Sequence, residues 1–231
     1  MIFSKDHSVL IALALIILSS GLFMIWSSSQ ESAIMDELAH IPAGYGYVKY
    51  LDYRLNPEHP PMLKALSALP LVFLDNVKFP ENHKSWVEDI NGQWEAGAEF
   101  LYKSGNDADL LIFYARIFPI ILTLLTTILI FMWGREIMGG LWALLPAFFF
   151  ALSPNVLAHG HYVTTDIAAT FGLVLASYFF IKALGSKSSV KSLTAGVAFG
   201  IAELMKFSMV LLVPYFLILG LIFTVSRSIS R

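Results

Sequence analysis

The chain has 231 residues, 57% of them hydrophobic and 14% charged, with a mean hydropathy of +0.69. That composition points to a multi-span membrane protein and away from a soluble globular domain. A net charge of −2 gives no polybasic surface for nucleic acid, and the absence of cysteine excludes disulfides and thiolate metal sites.

Val9 to Trp26 is the first apolar run. At about 18 residues it is enough to cross roughly 30 Å of hydrocarbon. Lys5 ahead of it and Ser27, Ser28 and Ser29 behind it also suit a secretory signal, but the run is long for a signal core, which favours an uncleaved anchor. A polar stretch over 27–109 follows, long enough for a loop to imply folded structure or function. Leu110 to Trp133 reads as a second span, Gly134–Arg135–Glu136 as a tight turn, and Leu141 to Ser153 as a short third span. Val163 to Leu184 is the fourth. Ser192 to Val225 is too long for one crossing, and a pair of short helices broken near Glu203 and Lys206 would place charge where the backbone opens.

Charge bias sets the expected orientation. With the N-terminus inside, the short inner segments carry Lys5, Arg135, Lys182, Lys187, Lys191, Arg227 and Arg231 against Asp6 and Glu136, while the 27–109 loop carries six cations and thirteen acids. Returning Arg227 and Arg231 to the inside needs six spans. The fold expected is therefore all-α: a polytopic membrane helical bundle whose long extracytoplasmic loop carries surface helices. The first transmembrane helix covers 1–26, the loop 27–109, and helices two to six 110–231. The N-terminus lies in the cytoplasm, and the active face is on the outside of the plasma (inner) membrane.

Three polar constellations fall on that outer side. In "MDELAHIPAGYGYVKYLDY" (35–53), Asp36, Glu37 and His40 share a helix edge, and Ile41, Tyr45, Val48 and Leu51 make an apolar stripe. Pro42 suits only a first helical turn, so the helix is expected to begin near Ile41 and to lie on the membrane surface. The plainer alternative is an acidic flank that complements a helix dipole. In "NPEHPPMLKALSALP" (56–70), Pro60 and Pro61 suit a helix start, with Leu63, Leu66, Leu69 and Phe73 on one face. Free N–H groups and Lys64 one turn in would cradle an anion. Glu58 sits awkwardly beside an anion unless a metal mediates, and a solvated surface helix is the alternative. In "FALSPNVLAHGHYVTTDIAATF" (150–171), Asp166 is expected inside the fourth span, a costly place for an acid. His159 and His161 form a His-x-His pair compatible with a metal but equally with ordinary loop chemistry. Arg116 and Lys206 are near the outer ends of their spans, where snorkelling would suffice to explain them. Asp36, Glu58, Lys64, Arg116, Asp166 and Lys206 nevertheless converge on one side at one depth. The spans hold few polar residues near the midplane, which disfavours a transporter.

"MDELAH", "NPEHPPMLK", "LSPNVLAHGHYVTTD", "LMKF" and "FLYKSGNDADLLIFYARI", in this order, resemble the membrane glycosyltransferases of the protein O-mannosyltransferase and aminoarabinose-transferase superfamily, of GT-C type. The resemblance implies a polyprenyl-phosphate-linked sugar as donor and a protein, lipid or glycan acceptor among membrane lipids. It implies Asp36 as general base with Glu37 in support, and Asp166 shaping the sugar or acceptor site. Glu58, His59, Lys64, Arg116 and Lys206 would hold the lipid phosphate. A divalent metal at Glu58, with His159 and His161 as further candidates, stays open, because His59 before the two prolines follows the mannosyltransferase branch where the aminoarabinose branch has lysine. Members of that superfamily are about twice as long, so the chain is expected to correspond to their N-terminal half, as a fragment, a truncated gene or a half that needs a C-terminal partner half. The competing class is a non-catalytic lipid-phosphate-binding or scaffold subunit.

Overall fold

The computed structural model describes residues 2–229, with side chains from His7 onward. Lys5, Asp6 and Arg231 of the charge count lie outside the described side chains. The first crossing, α1 (Ile2–Ser28), leads into a segment of short helices: α2 (Met35–Lys49), α3 (Met62–Ala68) with a 3-10 turn over Leu69–Phe73, α4 (Lys84–Val87), and α5 (Gln93–Ala98) with a π turn over Glu99–Lys103. The remaining helices are α6 (Ala108–Met138), α7 (Gly140–Ala151), α8 (Pro154–His159), α9 (Thr165–Ala183), α10 (Ser189–Glu203) and, after a 3-10 turn over Phe207–Leu211, α11 (Leu212–Ile229). No strand occurs among the described residues, and four helical stretches are long and apolar enough to cross a membrane: His7–Ser28, Ala108–Met138, Thr165–Ala183 and Phe207–Ile229. The fold is an all-α polytopic membrane bundle. α7 and α10, with 12 and 15 residues, are shorter than the roughly 20 residues a straight crossing needs.

α6 is the central helix and packs against α1, α3, α7 and α9, while α9 runs along α10. The main core lies where the short helices meet the bundle: Ile41 and Tyr45 of α2, Leu71, Phe100, Leu111 and Ile112 of α6, and Val163.

Several boundaries differ from the sequence expectation. The turn expected at Gly134–Arg135–Glu136 does not form there. α6 continues to Met138, and the chain reverses at Gly139, whose φ of +84° only glycine adopts freely. Glu136 stays helical and reaches α9, accepting hydrogen bonds from Tyr178 Oη (2.8 Å) and Lys182 Nζ (2.5 Å). α9 starts two residues later than expected, because Thr164 is extended (φ −117°, ψ 155°). Asp166 therefore lies in the first turn of that span, two residues nearer its end than expected, where it is exposed and its charge complements the helix dipole. The last apolar region does break: α10 ends at Glu203, Lys206 is extended, and the 3-10 turn begins at Phe207.

The largest difference is α2. It begins at Met35 rather than near Ile41, carries Pro42 in its interior, and is buried continuously from Ala39 to Tyr47. Its faces are buried by protein instead of being free to lie against lipid: α3 and α5 cover it. Pro42 has no N–H for the Leu38 carbonyl one turn back. Gly97 of α5 packs onto that carbonyl so closely that a Cβ at 97 would collide with it. On another side, a Cβ at Gly44 would strike the Lys64 carbonyl of α3. Small residues thus let two helices cover the proline-bearing one at backbone contact.

Candidate active site

The site is built around a charge pair with no exposure. Arg116 of α6 and Glu37 of α2 are both 0% exposed and form a bidentate pair: Nε to Oε1 at 2.9 Å and Nη2 to Oε2 at 2.6 Å. The other guanidinium protons go to the carbonyls of Ser28 (3.1 Å), Glu31 (3.0 Å) and Ser32 (2.9 Å). All five donors of the fork are used. Arg116 also lies over the Tyr162 ring, 5.1 Å from its centroid. Glu37 in turn accepts the backbone N–H groups of Ile34 (3.1 Å) and Val163 (3.0 Å). Arg116 neither snorkels nor keeps a donor for a lipid phosphate. It locks the exit of α1 to the start of α2.

One turn on from Glu37, His40 Nδ1 donates to the Val163 carbonyl at 2.6 Å. The carbonyl can only accept, so the proton is on Nδ1. Burial pushes the His40 imidazole below its ordinary pKa and keeps this neutral form. Glu37 and His40 therefore grip both polar groups of one residue, Val163, at the entrance to α9. Beside it, Glu31 accepts from Tyr162 Oη (2.7 Å) and His161 Nε2 (3.0 Å), as well as from Ser27 Oγ (2.6 Å). Burial raises the Glu31 carboxyl, but these hydrogen bonds outweigh it and hold the pKa at about 2.

This framework presents Asp36 and Asp166. Asp36, in the first turn of α2, is exposed and makes no hydrogen bond among the described residues. Its charge acts on both His40 and His59. Those two rings meet edge to face at 5.9 Å. His59 Nδ1 is buried and unpartnered. Burial, then the charges of Lys64 and Lys206, push the His59 pKa down, so His59 is within electrostatic reach of Asp36 and of Lys206. Lys206, in the break after α10, pairs with Asp166 at 2.6 Å; the two side chains are 27% and 64% exposed. Lys206 and Asp166 thus form an accessible charged cluster, while Asp36 is exposed at the start of α2 and its charge is felt by His59.

Lys64 is not part of the accessible cluster. Its ammonium is fully buried and spends its three protons on Asn56 Oδ1 (2.5 Å), His59 O (2.8 Å) and Asn56 O (3.0 Å), above the Tyr47 ring. It shapes the 56–59 loop instead of standing open to an anion, because the loop's own carbonyls reach it first. Burial lowers its pKa to about 7 from an ordinary 10.5. Between those values the folded protein holds fewer protons than the unfolded chain, so stability rises with pH across that window, and the full penalty applies below it. Wild type should gain stability from pH 7 to 9 relative to Lys64→Met, by at most about 1.4 kcal/mol per pH unit. Parallel unfolding curves for the two proteins over that range would show that Lys64 is not desolvated.

Glu58 is exposed and turned towards α5. Asn91 Nδ2 (2.8 Å) and Gln93 Nε2 (3.2 Å) donate to it and hold its carboxyl below the usual range. Both ring nitrogens of His161 are engaged, by the Leu157 carbonyl (3.0 Å) and Glu31. His159 is exposed. Glu58, His159 and His161 therefore do not assemble: among the described residues no three His, Asp or Glu side chains are placed to hold a metal ion. The sequence reading also missed Glu31 and Tyr162, because the partners that give them roles are about 130 residues away.

A family model described as dolichyl-phosphate-mannose-protein mannosyltransferase matches residues 109–231, just over half the chain. The matched part holds Arg116, Asp166 and Lys206, whereas Asp36 and His59 precede it. No curated protein and no solved structure gave a match.

Proposed function

The chain belongs to the dolichyl-phosphate-mannose-protein mannosyltransferase family, a family of membrane glycosyltransferases, and from that premise we propose that it moves a sugar from a polyprenyl-phosphate carrier to a hydroxyl of a protein, lipid or glycan acceptor. In this reading the reaction takes place at the extracytoplasmic face of the inner membrane; the excess of Lys and Arg in the short segments between spans supports that orientation. Asp36 takes the proton of the acceptor hydroxyl, whose oxygen bonds to the anomeric carbon. The bond from that carbon to the phosphate oxygen breaks, and the electron pair leaves with the polyprenyl phosphate. General-base help and a positive charge at the leaving group are what such a displacement needs. Lys206 supplies the charge, with His59 beside it.

The observation that carries this reading is the Lys206–Asp166 pair in the break after α10, where the ammonium stands 2.6 Å from the carboxylate and both side chains reach solvent. Of the residues expected at the phosphate, Lys206 is the lysine that keeps solvent access, while Lys64 and Arg116 are internal.

Binding of a short polyprenyl phosphate and of the uncharged prenol to the full chain in nanodiscs tests this. Lys206→Ala should weaken the phosphate roughly tenfold or more, as expected for a lost charge-assisted hydrogen bond, and leave the prenol unaffected. An equal loss for both lipids would remove Lys206 from the phosphate site.

A further inference from the structure

Asp166 also lines a cleft of about 350 Å³ whose other lining residues include Phe150 of α7, Asn155 and His159 of α8, and Ile167 and Thr170 of α9. Asn155 and His159 are four residues apart, so they occupy one face of α8. Both are exposed, and neither makes a hydrogen bond among the described residues. Residues bearing an amide, an imidazole and a carboxylate thus line one open hollow together with the apolar side chains of Phe150 and Ile167.

The position of these groups is fixed from behind. Thr123 Oγ1 donates to the Gly160 carbonyl at 2.8 Å, directly after His159. A Cβ at Gly160 would collide with the Val156 carbonyl and crowd Thr123 and Met24. His161 is anchored to Glu31 and to Leu157. The free polar groups of α8 are therefore held without being used, which is the state expected of a preorganised binding surface.

We infer that this cleft seats the sugar ring of the lipid-linked donor, with Asn155 and His159 as specificity-determining contacts to its hydroxyls. The inference rests on the proposed function. A sugar bonded to a phosphate on Lys206 must lie beside Asp166, because Lys206 already touches that carboxylate. Sugar hydroxyls donate and accept at once, so they match a carboxylate, which only accepts, next to an amide and an imidazole, which can do both. The cleft is near the lower end of small-ligand pockets, roughly 300–1,000 Å³, and has room for a single ring. Phe150 and Ile167 supply the apolar wall against which a ring can rest.

The test compares mannosyl polyprenyl phosphate with bare polyprenyl phosphate, each binding to the full chain in nanodiscs. Asn155→Ala and His159→Ala should each weaken the mannosyl lipid roughly tenfold and leave the bare lipid unchanged. His159→Gln, which keeps a donor and an acceptor, should restore part of the loss. Wild-type affinity of both alanine variants for the mannosyl lipid, with phosphate preference over prenol intact, would overturn this inference and spare the proposed function. A wild-type chain without any preference for phosphate over prenol would overturn both.

Discussion

Arg116→Met is expected to cost roughly 3–5 kcal/mol of stability, the loss typical of stranding one partner of a buried ion pair. Glu37 would remain fully buried, with the N–H groups of Ile34 and Val163 but no cation. Three carbonyls, of Ser28, Glu31 and Ser32, would lose their donor at the same time. Adding Glu37→Gln to Arg116→Met should recover part of the loss, because the stranded charge disappears and the single amide oxygen still accepts from one of the two backbone N–H groups. Denaturation in mild detergent, followed by tryptophan fluorescence, measures both variants. A loss below about 1 kcal/mol for the single variant, the value typical of exposed pairs, would mean that water reaches the pair and that the hub is not a hub.

Asp36→Asn should have the opposite profile. Its carboxylate is exposed and unbonded, so stability should stay within about 0.5 kcal/mol of wild type, as for most surface substitutions. Loss of a general base costs typically 10²–10⁴-fold in rate, here roughly that range in turnover. Affinity for the polyprenyl phosphate should be retained, since Lys206 is untouched. Transfer of labelled mannose from the lipid donor to acceptors in intact membranes, with any partner half present, gives the rate. Full turnover by Asp36→Asn would remove Asp36 from the base role. No turnover by wild type in those membranes, with lipid binding preserved, would place the chain among non-catalytic lipid-phosphate binders. Adjacent positions 36 and 37 thus separate chemistry from architecture: the first should lose rate and keep the fold, and the second carries the fold.

Four of the six expected spans were legible because a bilayer demands long apolar runs, and the break before Lys206 because charge cannot sit in the middle of one; the third and fifth fall on α7 and α10, which are shorter than a straight crossing. Asp166 and Lys206 were legible as charged residues at neighbouring helix ends, and the structure pairs them. What the other charged residues do was not legible. Arg116 and Lys64 read as free charges because the groups that consume them are mostly carbonyls, and a backbone carbonyl has no letter in the sequence. Asp166 was placed too deep because one extended residue, Thr164, shifts the helix start. Pro42 argued for a later helix because local rules cannot know that Gly97, from far along the chain, will cover the carbonyl it leaves open. Glu31 and Tyr162 carried no local signal at all.

The grip of Glu37 and His40 on Val163 has a consequence for biosynthesis. The two hydrogen bonds span 126 and 123 residues, and the Arg116–Glu37 pair spans 79. When the ribosome has delivered only α1 and the short helices, Glu37 has neither its cation nor its later amide, and α2 cannot be buried without stranding a carboxylate. α6 must enter the membrane to bring Arg116, and the chain must then reach α9 to bring Val163. The N-terminal third is therefore the first part made and among the last to be completed. Until then it holds an unpaired acid and a proline-interrupted helix, the kind of exposed intermediate that chaperones and membrane proteases act upon. A chain halted before residue 163 should be cleared by those proteases, not accumulate as a folded fragment.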